Sequence, residues 1–598
     1  MDGVIVPGRA IDRCRVLGAL VITGVIVMFG SCAHREGGRD QSGRPPLVAS
    51  EARSDHGMVS TGSVEATRAG VRILEKGGNA VDAAVAAAFV LGVADPGGSG
   101  LGGMTYILIS LSNGRAVAID GSVISPIAAD PSTLLAIRDS GESFGAKVVA
   151  VPVTLAALNR ALERYGTMDL KTVLAPAIEI AERGYRRSPN SVAWTKGYLD
   201  EIRASRYLRF VVLNDGEDLG PAGDIVCRPD LARTLRRIAD EGVDSFYRGD
   251  IAAQMVAHLR SLGGYIRRSD LASVRVPESP ALPSRYRSAE ILAFPFPGAG
   301  PEVVESLNIL QTFPTEVLAD HTVKRLHLLV EAYRIAQIDH RQFAYRPVQQ
   351  VMGTPGYLGE AHARARAALI TPGRAILETD LEVKTSVSIL GEHTTQVSVA
   401  DTLGNAVSLT QTLCRQYGVK IATPGLGFPY NSCLEFLDFE NPESPLFLSA
   451  RRRYPSGMAP TIFRHNGRLV ILGSAGSDRI APSVTEVISN IIDRNMDLRA
   501  AVVAPRVLWN SAHDPPRVCL EIADPVTTND ADRLQGSGFE HMYRLVYPPI
   551  PLSDSAFFGG VNAVLYDAAT GIFSGVADPR RSGYAEGPRA VANPQEGP

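Results

Sequence analysis

The chain has 598 residues, of which 45% are apolar and 21% charged, with a formal net charge of −3. That supply of apolar side chains builds a sizeable core without a disulfide scaffold. The near-neutral balance gives no electrostatic footprint for nucleic acid, so no such partner is expected.

At the N-terminus, Arg9, Arg13 and Arg15 precede an uncharged apolar run over 16–29. This is a positive region followed by an apolar segment too short to span a bilayer comfortably. Gly30 and Ser31 lead to Cys32, and the tetrapeptide FGSC resembles a bacterial lipobox, whose cysteine is lipidated. Residues 1–31 are read as a lipoprotein-type signal and Cys32 as the lipidation site; a plain secretory signal or an uncleaved anchor is the alternative. Residues 32–52, polar and rich in Gly and Pro, read as a flexible tether. The protein is therefore expected to be exported and anchored by lipid on the periplasmic or outer cell face.

Further along, Ser63 caps a predicted helix with apolar residues at helical spacing, which Gly77 and Gly78 stop. Asn79 caps a second, AVDAAVAAAFVLGV, ended by Asp95-Pro96; its alanines imply close approach by another segment. GGSGLGG, 97–103, follows a helix and lacks GK[ST], which argues against a phosphate loop. TYILIS reads as a buried strand. LAALNRALERYG, LAPAIEIAERGY, VVESLNIL and LHLLVEAYRIAQIDHR read as helices. After residue 385 the pattern changes to strands and hairpins: TSVSIL, TTQVSVAD, NAVSLTQT, APTIFRHNGRLVILG and VNAVLYDAATGIFSGVAD. Helix-rich and strand-rich parts together predict an α+β layered fold. Of six cysteines, Cys227, Cys414, Cys433 and Cys519 lie beyond the signal. Pairing is allowed in an oxidising compartment, and Cys414 and Cys433 are equally read as buried small hydrophobes, a disulfide or pocket lining. No spacing matches a zinc site, and neither a metal nor a cofactor is expected.

The segment GEHTTQVSVADTLGNAVSLTQT carries the chemistry. A turn centred on Leu403, with Gly404 and Asn405 beside it, pairs Thr394 with Thr412 on one face; a one-residue slip is the alternative. An internal threonine hydroxyl is a poor nucleophile. A threonine at a chain N-terminus carries its own base, an α-amine with a pKa of about 8. A cut between His393 and Thr394 creates both in one residue, with Thr412 placed to hold Oγ. GSAGSDR, 473–479, offers the backbone N–H groups of Gly476 and Ser477 to an oxyanion. The bland alternatives are an ordinary cross-strand threonine pair and a structural turn.

The chain resembles the γ-glutamyltranspeptidases, N-terminal-nucleophile hydrolases. EATRAGVRILEKGGNAVDAAVAAAFVLGVADPGGSGLGG, TTQVSVADTLGNAVSLTQT, SGMAPTI, GSAGSDR and VADPRRSG carry the resemblance in order over nearly the whole mature chain. The resemblance implies a four-layer αββα sandwich, a large subunit of residues 53–393 and a small subunit of 394–598. It implies that Thr394 attacks a γ-glutamyl amide of the glutathione type and passes the acyl group to water or to an amine or peptide acceptor. Carried over by position, Thr412 supports the nucleophile. Gly476 and Ser477 form the oxyanion hole, where the family usually has Gly-Gly. Ser456 and Gly457 stand where a serine pair contacts the glutamyl carboxylate, and the acidic residues that hold the glutamyl amine fall within NSCLEFLDF, where Glu435 and Asp438 are both candidates beside Phe436. The family's carboxylate-gripping arginine aligns with Ser122, and its asparagine after the hairpin with Cys414. Arg453, from the run Arg451–Arg453, is the substitute clamp, against the bland reading of a solvated charge run. These departures leave three expectations: a self-cleaving γ-glutamyl hydrolase or transpeptidase; an amidase of the same machinery for poly-γ-glutamate or a dicarboxylic acyl amide; and an inactive surface-binding lipoprotein of this fold.

Overall fold

The period-two pattern of the C-terminal part sorts into two seven-stranded sheets stacked face to face, with helices on both outer faces. A computed structural model describes residues 49–589, apart from 214–216, 321, 345–355, 382–392, 445, 512–514, 524 and 547–555. Cys32, the signal and the expected strand TSVSIL lie outside the described residues.

One sheet runs Ser50–Ser54, Ile572–Ala577, Gly560–Asp567, Arg468–Ala475, Thr461–His465, Ala289–Ala293, Leu282–Tyr286. The other runs Tyr584–Glu586, Met58–Thr61, His393–Ala400, Ala406–Cys414, Met104–Ser110, Ala116–Gly121, Glu278–Pro280. Each sheet mixes strands from before and after residue 393, and the strand Ser50–Ser54 begins inside the stretch expected as tether. The helices Ala80–Ala94 and Thr154–Tyr165 cover one sheet, and Gly300–Leu310 and Ile480–Ile492 the other. This is the expected αββα sandwich of the N-terminal-nucleophile hydrolases.

Local chemistry explains the covering helices. Ser63 accepts from the Ala66 N–H, and Asn79 and Asp82 form a capping box. Ala80–Val93 is buried on every side, which is why alanine fills it. A Cβ on Gly92 would stand 3.1 Å from the Gly100 Cα, so the glycine loop lies directly on this helix.

The hairpin pairs in the expected register: Thr394 opposite Thr412, Gln396 opposite Thr410, Ser398 opposite Ser408. Val397, Val399, Val407 and Leu409 face the helices. The polar alternates lie between the sheets, fully buried, and are satisfied there. The Gln396 amide donates to Ser398 Oγ at 3.1 Å and Ser408 Oγ at 3.0 Å and accepts from Thr410 Oγ1 at 2.6 Å. Ser398 and Ser408 then donate to the carbonyls of Asn562 (2.9 Å) and Leu472 (2.8 Å) in the facing sheet.

The loop after Ile572–Ala577 is held by a buried ion network. Arg580 reaches Glu521 through Nε at 2.8 Å and through Nη2, and Asp578 through Nη1 at 3.1 Å; all three side chains are shielded from solvent. Arg506 holds the second Asp578 oxygen. Removing one partner of such a network leaves an uncompensated buried charge. Arg580→Met is expected to lower unfolding free energy by about 3–5 kcal/mol, read from the denaturation midpoint.

Candidate active site

Thr394 is the second residue of the strand His393–Ala400, just after an irregularity in the pairing between His393 and Thr394. Its Oγ1 lies 3.5 Å from Thr412 Oγ1. The Thr412 hydroxyl donates to the His393 carbonyl oxygen, the carbonyl of the bond expected to be cut, and accepts from the Cys414 N–H at 2.9 Å. Cys414 takes the left-handed region, φ 73°, as its N–H turns back onto Thr412. A disulfide to Cys433 fixes it there, so of the readings of these cysteines the structure selects the pair.

The facing sheet contributes the rest. The strand Arg468–Ala475 ends in a turn where Gly476 has φ 123° and Ser477 φ 59°. A Cβ on Gly457 would stand 3.2 Å from the Ser477 carbonyl oxygen, so the Ser456-Gly457 loop packs against that turn. Thr394, Thr412, Ser456, Gly457 and Ser477 line one small cavity of about 10 Å³, together with Cys414, Tyr454, Met458 and Ile480. None of these residues is charged. The volume is that of about one water.

Two expected substrate contacts do not reach this cavity in the continuous chain. Glu435 is gripped bidentately by Arg415, at 2.7 and 2.8 Å. The Arg453 guanidinium stands beside Asp120 at 3.7 Å and the Ser122 carbonyl at 3.3 Å, and also donates to the Arg275 carbonyl. Ser122 itself is buried against the Tyr106 hydroxyl at 3.0 Å and donates to Asp120.

Three residues not singled out from the sequence stand around Thr394. Arg581 donates to the Thr394 carbonyl at 3.1 Å and lies 4.9 Å over the Trp194 ring. Trp194 meets the His393 imidazole edge-on at 4.9 Å. Asp95, at the end of the alanine helix, is pushed up to about 6 by burial, against the pull of Arg581. Burial, with Arg581, Arg479 and Lys420 nearby, holds the His393 imidazole well below its usual range and hence neutral. Arg581 was in view within VADPRRSG; nothing in the sequence tied Trp194 to residue 393. Elsewhere, Glu305, Asp339 and His362 converge within 4.8 Å, but Arg366 already holds both Asp339 oxygens.

The gamma-glutamyltranspeptidase family model matches residues 66–587. The Acylase ACY 1 proenzyme of Pseudomonas sp. (strain V22) is 33% identical over 89% of this chain and 93% of its own length. The glutathione hydrolase proenzyme of Pseudomonas sp. (strain A14) is 31% identical over 76% and 81%. The crystal structure of cephalosporin acylase from Bacillus halodurans superposes with a TM-score of 0.80 at 26% identity, covering 94% of this chain and all of that one. With this span of matching sequence and the shared sandwich, the chain belongs to the gamma-glutamyltranspeptidase family.

Proposed function

We propose that the chain cuts itself between His393 and Thr394 and that the freed Thr394 is the nucleophile of an amidase. The observation that carries this is the hydroxyl of Thr412 on the His393 carbonyl oxygen, with the Thr394 hydroxyl beside it. In the proposed cut, Thr394 Oγ1 attacks the His393 carbonyl carbon. Thr412 donates to the oxygen as it becomes anionic, and the Cys414 N–H keeps Thr412 turned that way. The C–N bond breaks, the nitrogen takes the hydroxyl's proton, and an ester joins His393 to Thr394. Water hydrolyses that ester, leaving a carboxylate on His393 and a free amine on Thr394. The amine then serves as base for the same hydroxyl toward an external amide.

The acyl cavity supports a substrate without an α-ammonium group. Among the described residues no carboxylate side chain lines it; of the two acidic candidates, Glu435 is committed to Arg415 and Asp438 accepts from the Glu440 and Asn441 N–H groups. Hydroxyls such as Ser456 are available to an acyl carboxylate. An ammonium placed there without a partner loses more than the ~1–3 kcal/mol of an unsatisfied neutral group. A dicarboxylic acyl amide therefore fits better than a γ-glutamyl one, in keeping with the acylases among the relatives. Hydrolysis or transfer of glutathione-like γ-glutamyl groups is the second reading. It is favoured by the glutathione hydrolase relatives and by the Arg453 guanidinium beside Ser122, where the family's arginine stands. Export and lipid anchoring at Cys32 complete the proposal.

Denaturing electrophoresis of the wild type is expected to give two fragments and Thr394→Ala one; a single band from active wild-type protein would overturn the mechanism. Thr412→Val keeps the shape and removes the donor, and is expected to slow the cut by about 100-fold or more, the loss typical of one oxyanion donor. In the mature protein, a glutaryl anilide is expected to exceed the γ-glutamyl anilide in kcat/KM by about tenfold or more, the factor worth about 1.4 kcal/mol. Intact mass reports lipidation at Cys32 and the new Thr394 terminus together.

A further inference from the structure

Thr394 borders a second, much larger cavity, of about 680 Å³, and is the one residue lining both. The large cavity has the volume of a preformed small-molecule site. It opens along a bare stretch of strand edge. The neighbouring strand Met58–Thr61 pairs only as far as Val397, leaving residues 394–396 without a strand partner on that side. Arg581 takes the Thr394 carbonyl there.

The lining is charged and one-sided. Arg68, Arg186, Arg187 and Arg581 face two carboxyls, Glu65 and Asp95. Arg187 is only 5% exposed, spends Nη2 on the Val212 carbonyl, and keeps a buried Nε with no hydrogen-bond partner. A guanidinium held in a largely shielded wall makes charge-assisted hydrogen bonds to an anionic ligand that are about twice as strong as neutral ones. The wall also carries Trp194, whose ring now takes the His393 imidazole.

We propose that this cavity is the subsite for the amine half of the amide substrate, and that it selects amines bearing an anionic group on a planar ring. The inference rests on the proposed function. If the acyl half enters the uncharged cavity beside Ser456 and Ser477, the bond to nitrogen points across Thr394 into the large one. As the Thr394 Oγ–carbon bond forms, the carbon–nitrogen bond breaks. The hydroxyl's proton passes through the Thr394 amine to the leaving nitrogen, and the neutral amine departs along the arginine-lined wall. Trp194, relieved of His393 by the self-cleavage, takes the ring.

The test uses the self-cleaved protein and two amines of equal shape, 4-aminobenzoate and 4-aminobenzamide, with their glutaryl amides. Calorimetry is expected to show about tenfold or tighter binding of the carboxylate, and kcat/KM the same preference, as a charge-assisted hydrogen bond provides. Arg187→Gln is expected to abolish the preference, so that the carboxylate and the carboxamide bind alike. Arg68→Gln, on an exposed side chain, is expected to reduce it by about two- to threefold, and reads the same point if the buried variant does not fold. Equal binding of both amines by wild type, or an undiminished preference in both variants, overturns the subsite. A cleaved protein that binds 4-aminobenzoate but is never acylated at Thr394 overturns the function instead and leaves the subsite standing.

Discussion

A chain of two hydrogen bonds governs this molecule: the Cys414 amide to the Thr412 hydroxyl, and that hydroxyl to the His393 carbonyl. A hydroxyl rotates freely unless an acceptor and a donor fix it from opposite sides. Here the Cys414 amide and the Thr394 hydroxyl both donate to it, so its proton is left for the His393 carbonyl. That direction exists only in one hairpin register. A slip of one residue would send Thr412 to the helix-covered face. The buried layer of Gln396, Ser398, Ser408 and Thr410 forbids the slip, because each partner shift would strand polar groups between the sheets at about 1–3 kcal/mol apiece. What looks like an oddly polar core is the device that sets the register.

The second sheet answers to the same point from the other side. Its strand Arg468–Ala475 delivers the Gly476-Ser477 turn, and its loop 578–583 delivers Arg581 to the Thr394 carbonyl. Arg581 is partly buried; desolvation lowers its pKa to about 10, with Arg479 adding repulsion. Its aim at Thr394 depends on the backbone of its loop. The Arg580–Glu521–Asp578–Arg506 network, one residue away, holds that backbone without touching the nucleophile.

The sequence made the hairpin legible because turn chemistry and a period of two are local. Asp401 to Asn405 close the turn wherever the strands later pack, so Thr394 and Thr412 met as expected. The caps at Ser63 and Asn79 were legible for the same reason. Partner choice is not local. Nothing in residues 451–453 signals that Arg453 turns to Asp120, or that Glu435 is taken by an arginine twenty positions earlier. Trp194 lies on a short helix, Pro189–Lys196, whose position depends on the whole loop around it. The pairing of Cys414 with Cys433 follows from a return of the chain past the hairpin end, where the Ser432 N–H also binds the Leu413 carbonyl.

The two cavities at Thr394 differ in a way that orders events in the proposed reaction. The acyl side is closed to about one water, while the amine side is already wide. In the continuous chain the His393 carbonyl takes the Thr412 hydroxyl that the freed Thr394 would use. On the proposed mechanism the protein is its own first substrate, and an external amide reaches Thr394 only after His393 has left. In that mechanism the departure of His393 would take the imidazole from Trp194 and the carbonyl from Thr412 together, opening both sides of Thr394. An enzyme built this way gains its nucleophile, its base and its room from the scission of one bond.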